Sequence, residues 1–272
     1  MNHEARSSSP TAMRTRRNIV KMGMILASVG VAKAKMAHAQ GVSAMTGICS
    51  TAVGCRCFLR GTRIRTVEGE RKIEDLATGD LLPTRFGGVR PIQWIWRYPF
   101  RKSDPSKSWP QDALPVRIAR SALAPEVPNT DLYVTGEHAL FIDGVLIPAV
   151  NLINGTTITR QKAREYEELE YFNIKVEGHD VIYAEGTPVE TLRDVDESAV
   201  NFAEYFRKYG MPRTQEPRCA PWISFGGSRG ELKSRLRSAI SPWLDRREQI
   251  DVIRDRLEER GIALSRQLEP SF

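Results

Sequence analysis

The sequence has no long apolar segment. Its most apolar run, residues 22–32, is 11 residues long, whereas a helix that crosses a bilayer takes roughly 20 residues. We therefore expect no transmembrane span. At 272 residues, with 41% hydrophobic and 27% charged side chains, the chain has the composition of a folded globular protein rather than a disordered one.

Cysteine is also scarce, and its spacing excludes a common kind of metal site. The four cysteines are Cys49, Cys55, Cys57 and Cys219. No Cys-x-x-Cys pair with a matching partner pair is present, which argues against structural zinc. The sequence predicts no metal and no other cofactor. The even number of cysteines permits disulfides, and Cys49 with Cys55 could close a small loop.

Outside the N-terminus the chain has no excess of basic residues. The formal net charge is +7, but residues 1–39 hold seven Lys and Arg against one acid. Residues 40–272 hold 33 basic and 32 acidic side chains, which gives a net charge of +1. Since the basicity belongs to the N-terminal segment, we predict no nucleic-acid partner.

The N-terminal segment has the features of an export signal. Arg16 and Arg17 precede the apolar run, and Ala37-His38-Ala39 follows it as a small-x-small cleavage site. The paired arginines resemble a twin-arginine signal. The sequence therefore predicts a signal peptide at 1–39, the twin-arginine export machinery as a partner, and a periplasmic or extracellular location. A cytosolic protein with a basic terminus is the alternative.

The rest of the chain divides by composition into three parts. Residues 40–56 are small and polar, which predicts a linker. Residues 57–192 contain short apolar or alternating runs between turn residues, which predicts a mainly β domain. Residues 193–272 carry apolar side chains at helical spacing from Glu231 onward, with Gly261 suited to a helix end. We expect a β domain with an α-helical C-terminal extension.

One cysteine is placed to act as a nucleophile. Cys57 opens the β-rich part, and Thr135 and His138 follow downstream as Thr-x-x-His. A cysteine can attack the carbonyl group of its preceding peptide bond and move the acyl group to sulfur. That step needs hydrogen bonds to the oxyanion and an acid that protonates the departing nitrogen, a role that suits histidine. A buried inert thiol and a satisfied, half-buried histidine are the structural alternatives.

Several sequence blocks occur in an order that is typical of one family. They are Cys57-Phe58, Gly61-Thr62-Arg63-Ile64, Gly79-Asp80, Thr135-Gly136-Glu137-His138, Tyr171-Phe172-Asn173, His179-Asp180 and Ala184-Glu185-Gly186. Together they resemble the Hint domain, the self-processing module of inteins and hedgehog proteins, and are most similar to a bacterial hedgehog/intein-like branch. The resemblance implies a horseshoe-like β fold with pseudo-twofold symmetry over residues 57 to about 192. It also implies Cys57 as the nucleophile, with Thr135 and His138 activating the scissile bond.

The chain departs from splicing members of that family in two places. Splicing members end in His-Asn followed by a Cys, Ser or Thr nucleophile, whereas this chain continues from Gly186 into Thr187-Pro188-Val189. The resemblance therefore excludes splicing. Asn173 stands where many active members carry an acidic residue. His179 and Asp180 are further catalytic candidates, with local strand-end hydrogen bonding as the alternative.

Two functions from different classes follow. In the first, Cys57 forms a thioester with Arg56, and water or an external nucleophile then releases the chain's own N-terminal segment. In the second, the protein is an exported, non-catalytic binding or interaction module. The short upstream segment of 17 residues (40–56) favours the second, and prompt cleavage before export would detach the signal. Sterol transfer, as in hedgehog proteins, is a third option, but no sterol-recognition segment is recognisable.

Overall fold

The computed structural model describes residues 56–101, 104, 106–111, 113–161, 166, 168–195, 201–211 and 216–268. The predicted signal peptide, and Cys49 and Cys55, which could form a disulfide, lie outside these residues. Within the described residues, short β-strands are followed by three α-helices. The elements are β1 (Phe58–Leu59), β2 (Arg63–Thr66), β3 (Gly69–Lys72), β4 (Leu81–Pro83), β5 (Val89–Pro91), β6 (Trp94–Arg101), β7 (Val116–Ile118), β8 (Leu132–Val134), β9 (Ala139–Ile142), β10 (Val145–Pro148), β11 (Ile158–Arg160), β12 (Glu168–Lys175), β13 (Val181–Ala184), β14 (Thr187–Glu190), α1 (Phe202–Tyr209), α2 (Ser228–Ile240) and α3 (Gln249–Leu268).

The strands form two six-stranded sheets and a two-stranded ribbon. The first sheet has the order β11-β7-β8-β1-β12-β6, the second has the order β10-β9-β14-β13-β2-β3, and β4 pairs with β5. Neighbouring strands run antiparallel. The predicted mainly β architecture with C-terminal helices is confirmed.

The alternating runs in the sequence correspond to the two faces of strands such as β2 and β6. In β2, Ile64 is fully buried while Arg63 and Arg65 are exposed. In β6, Trp94 and Trp96 lie two residues apart and are both buried. Successive side chains of a strand point to opposite faces, so in these two strands one face packs into the interior. Burying each large apolar side chain stabilises the fold by roughly 1.5–3 kcal/mol.

The short strand β1 lies inside the first sheet and not at its edge. Phe58 pairs with Phe172 of β12 on one side and with Val134 of β8 on the other. Its side chain is completely buried. Because both pairings are antiparallel, the residues that precede Phe58 face those that follow Phe172 and Val134. The sheet register therefore determines what surrounds the peptide bond before β1.

The last helix, α3, is packed onto the β structure. Ile250, Ile253 and Leu257 project from one face of α3, and all three are buried in the same hydrophobic core as the strands. Their spacing of three and four residues places them on one side of a helix. Among the described residues, no helix is long and apolar enough to cross a membrane.

The expectation that Gly261 ends a helix is wrong. It lies inside α3, which continues to Leu268. A Cβ atom at this position would lie 2.4 Å from Thr156 Oγ1 and 3.1 Å from Thr157 Oγ1. The glycine thus allows α3 to approach the loop before β11 closely, and this packing requirement outweighs the weak helix propensity of glycine.

Candidate active site

The side chain of Cys57, the residue before β1, is buried in an aromatic cluster. Other members of that cluster include Trp94, Trp96, Phe100 and Tyr171. Burial raises the pKa of the Cys57 thiol well above its ordinary value. The thiolate, which is the nucleophilic form, is therefore scarce at neutral pH, and a nearby group must take the thiol proton for the sulfur to react.

Thr135 holds the backbone of Cys57 through two hydrogen bonds. The Cys57 N–H donates to Thr135 Oγ1 over 2.9 Å, and the Thr135 N–H donates to the Cys57 carbonyl oxygen, also over 2.9 Å. Thr135 directly follows Val134, the β8 residue that pairs with Phe58. The nitrogen of the Arg56–Cys57 peptide bond is thus fixed by the register of the sheet.

Asn173 holds the other side of the same peptide bond. Its Nδ2 donates a hydrogen bond to the Arg56 carbonyl oxygen. Its Oδ1 accepts the N–H of Ile174 over 2.7 Å, which fixes the orientation of the side-chain amide. Asn173 is completely buried. Asn173 therefore contacts the carbonyl group that Cys57 would attack. The sequence had indicated this residue only as a departure from active family members.

His138 lies beside this peptide bond and is completely buried. Its ring centroid is 4.3 Å from that of Phe58. The backbone N–H of His138 donates to the Thr135 carbonyl oxygen over 3.1 Å. Burial lowers the pKa of His138 to about 4, although the charge of Glu190 opposes that effect. Neither ring nitrogen forms a hydrogen bond of good geometry with the described residues. The structure thus brings Cys57, Thr135 and His138 together around one peptide bond.

Glu190 is a buried acid that sequence analysis missed. Its Oε1 accepts the N–H of Ala139 over 3.0 Å and lies 3.4 Å from Arg56 Nε. Burial by itself would raise the pKa of Glu190, but the hydrogen bond to His179 and the charges of Arg56 and His138 lower it overall. Glu190 is therefore a buried carboxylate next to the side chain that precedes the nucleophile.

His179 connects Glu190 to the C-terminal segment. Its Nε2 lies 3.2 Å from Glu190 Oε2, and its Nδ1 lies 3.1 Å from the backbone nitrogen of Cys219. Because a backbone N–H can only donate, Nδ1 acts as the acceptor and Nε2 carries the proton that Glu190 accepts. These contacts place His179 behind Glu190, where it positions the carboxylate.

Asp180 has a different set of partners. Its Oδ1 accepts the N–H of Val181 over 2.7 Å and that of Phe86 over 3.1 Å, and its Oδ2 lies 3.4 Å from Arg90 Nε. These contacts fasten the β4–β5 ribbon to β13. Within the described residues, no hydrogen bond or ion pair joins the Asp180 carboxylate to the Arg56–Cys57 bond.

Within the described residues, the cysteines and acids form neither a disulfide nor a metal-binding group. Cys57 and Cys219 are both free thiols. In the part of the chain that the structure describes, no group of three or more His, Cys, Asp or Glu residues is arranged to hold a metal ion.

A fold of short antiparallel strands, with a cysteine at the start of a central strand held by a threonine, an asparagine and a histidine, defines the class of the protein. The family model described as the Hint domain matches residues 56–196, about half of the chain. The chain belongs to the Hint domain family. Its assignment to the bacterial hedgehog/intein-like branch stays a prediction.

Solved structures similar to this chain include three intein or intein-like domains. The gp41-1 intein is 14% identical, with 49% of this chain and 97% of that chain covered and a TM-score of 0.35. A DnaB intein from Synechocystis sp. PCC 6803 is 12% identical, with 50% and 98% covered and a TM-score of 0.36. The bacterial intein-like domain from Clostridium thermocellum is 13% identical, with 51% and 100% covered and a TM-score of 0.34. The comparison with curated proteins gives no match.

Proposed function

We propose that the protein cleaves its own chain at the Arg56–Cys57 bond through a thioester. Cys57 Sγ attacks the carbonyl carbon of Arg56, and the carbon–sulfur bond forms as the carbon–nitrogen bond breaks. The thiol proton ends on the Cys57 nitrogen, which becomes a free amine. The observation that carries this proposal is that both ends of one peptide bond are hydrogen-bonded, the carbonyl by Asn173 and the nitrogen by Thr135.

The oxyanion is the species that most needs stabilisation. Negative charge develops on the Arg56 carbonyl oxygen as the sulfur attacks. The Asn173 amide already donates to that oxygen, and its own position is fixed by the Ile174 N–H. A donor that is oriented before the reaction stabilises the transition state without reorganising, and such donors are worth about 100- to 1,000-fold in rate.

His138 is suited to move the proton. With a pKa lowered to about 4 by burial, the ring is neutral at pH 7 and can accept the thiol proton. The protonated ring is then a strong acid beside the departing nitrogen, which Thr135 holds through Oγ1. Transfer from sulfur to imidazole to nitrogen balances the step without any net uptake of protons.

The thioester is then resolved without splicing. Water or an external nucleophile attacks the thioester carbonyl, releases the segment that ends at Arg56 and regenerates the Cys57 thiol. No terminal asparagine follows Gly186 in the position that cyclisation requires. The substrate is therefore the chain's own N-terminal segment.

Export determines when such a reaction is useful. A signal peptide at 1–39 of the twin-arginine type would direct the folded chain to the periplasm or beyond. Since twin-arginine substrates usually fold before export, cleavage at Arg56 must be slow or triggered after translocation. The buried Cys57 thiol, with its raised pKa, supports slow rather than immediate attack.

The second candidate is a non-catalytic, exported Hint-fold binding module. The same burial of the Cys57 side chain favours it, because a thiol in an apolar cluster is chemically inert unless a proton acceptor reaches it. In this case Asn173 and Thr135 only fasten the N-terminal segment to the sheet.

The intact mass of the full chain, incubated with and without an external thiol, distinguishes the two. Self-cleavage predicts a thiol-dependent fragment that begins at Cys57, in the wild type and in a Cys219→Ala control, but not in Cys57→Ala. An unchanged mass under all conditions contradicts self-cleavage and favours the binding module.

A further inference from the structure

The guanidinium group of Arg56 is held between an acid and an indole ring. Its Nε lies 3.4 Å from Glu190 Oε1, and its Cζ lies 4.8 Å from the centroid of the Trp222 ring. The Arg56 side chain is 20% exposed and that of Glu190 is 1% exposed. A cation that is removed from water on both sides gains more from an ion pair and a ring face than an exposed one does.

The two walls of this site come from different parts of the chain. Glu190 ends β14, inside the Hint family match, whereas Trp222 lies beyond its last residue, 196. The Trp222 segment is fixed to β10: the Leu146 N–H donates to Pro221 over 2.8 Å, and the Ile223 N–H donates to Leu146 over 2.9 Å. The C-terminal segment thus completes a site that begins in the β domain.

The side chain of Glu190 is held in position by His179. His179 donates to Glu190 through Nε2 and accepts the Cys219 N–H through Nδ1. One imidazole therefore links the carboxylate to the segment that carries Trp222. This arrangement fixes the distance between the two walls.

The geometry suits arginine better than lysine. A guanidinium is planar, so it can stack on the indole ring while Nε faces the carboxylate. A lysine ammonium could pair with Glu190, but it lacks the flat face. The guanidinium group of Arg218 also lies over the Trp222 ring, with its Cζ 4.8 Å from the ring centroid. Within the described ion pairs, Arg218 is not paired with Glu190.

We infer that Glu190 and Trp222 form a recognition site for an arginine side chain at the position immediately before the nucleophile. The site selects the acyl group that Cys57 receives and aligns the Arg56 carbonyl with Asn173. This inference rests on the proposed self-cleavage at Arg56–Cys57. It assigns the C-terminal segment a role in substrate recognition.

The first test is the rate of thiol-dependent release from the full chain. We expect Arg56→Met to slow release about tenfold and Arg56→Lys to fall between Arg56→Met and the wild type. Trp222→Leu should slow release to a similar extent, whereas Trp243→Leu, at a ring that is 85% exposed, should leave the rate unchanged. Equal rates for the wild type and all Arg56 variants would overturn the inference.

A double-mutant cycle separates recognition from a merely structural role of Trp222. If Trp222 acts through Arg56, Trp222→Leu should change the rate of the Arg56→Met protein by less than about twofold. An equal slowing in both backgrounds would show that Trp222 only supports the fold, and would overturn the inference.

The same cycle in the Cys57→Ala background does not depend on cleavage. The urea midpoint should fall less for Trp222→Leu when Arg56→Met is already present. Coupling in this background without any release from the wild type means that self-cleavage fails while the arginine site stands. Release from the wild type without coupling means that the arginine site fails while self-cleavage stands.

Discussion

The side-chain amide of Asn173 donates a hydrogen bond to the carbonyl oxygen of Arg56, the residue before the buried Cys57. A carboxylate at this position would place negative charge against the same oxygen. The asparagine is therefore suited to the first step, in which that oxygen gains negative charge. It offers no base for the second step, and so the resolving nucleophile must be activated elsewhere or be intrinsically reactive.

Asn173→Asp should reduce thioester formation by about 100-fold, because an ionised carboxylate cannot donate to the oxyanion. The rate of thiol-dependent release measures the change. Asn201→Asp is a matched control, since the Asn201 amide also donates to a backbone carbonyl, that of Ile95, over 3.2 Å. A wild-type rate in Asn173→Asp would remove Asn173 from the mechanism.

Thr135→Val should lower the free energy of unfolding by about 1–3 kcal/mol, because the buried Cys57 N–H loses its acceptor. Thr135→Ser retains the hydroxyl and should recover most of that loss. Urea unfolding of both variants in the Cys57→Ala background tests this without interference from cleavage. Equal stability of the valine and serine variants would show that the hydrogen bond contributes little.

The burial of His138 predicts a loss of stability in acid. Its pKa is lowered from 6.5 to about 4 in the folded protein, so the unfolded chain binds the extra proton first as the pH falls. Stability should therefore decrease from about pH 6.5 down to about pH 4, by about 3 kcal/mol in total. His138→Gln cannot titrate and should lack this component. Urea unfolding of the wild type and of His138→Gln at pH 7 and pH 4.5 measures this difference in stability. An identical pH dependence in the two proteins would contradict a lowered pKa of His138.

Glu190→Gln should destabilise the fold by about 3–5 kcal/mol, because Arg56 and His179 lose a buried negative partner. Glu231→Gln is the matched control. Glu231 pairs with Arg235 on the surface of α2, where both side chains are about half exposed, and its loss should cost less than about 1 kcal/mol. Chemical denaturation of both variants measures the two losses in the free energy of unfolding. Similar small losses in the two would mean that the buried pair is no stronger than a surface pair.

Part of this architecture could be predicted from the sequence because it follows from local patterns. The short apolar or alternating runs within residues 57–192 indicated strands, and Ile64, Trp94 and Trp96 lie on the buried face of theirs. The Thr-x-x-His spacing of Thr135 and His138 marked both residues as candidate partners of the nucleophile Cys57. These features depend on residues close together in the chain, where periodicity and spacing are informative.

The rest depends on contacts between distant segments. Only the register of β1 against β12 places Asn173 on the Arg56 carbonyl, and no local pattern encodes that register. In the sequence Glu190 looks like an ordinary acid at the end of a strand, and only the structure shows that it contacts Arg56 and His179. Gly261 was predicted to end a helix because glycine is common there. The sequence does not show that Gly261 packs against Thr156, which belongs to a distant loop.

The most direct test of self-cleavage is the chemical identity of the fragment that hydroxylamine releases from the full chain. Attack of hydroxylamine on a thioester yields a hydroxamate. Self-cleavage through Cys57 therefore predicts an N-terminal fragment that ends in an arginine hydroxamate at Arg56, together with a second fragment that begins at Cys57. Tandem mass spectrometry reads both new ends. The absence of both fragments after prolonged incubation, or a fragment that also forms from Cys57→Ala, would contradict the account.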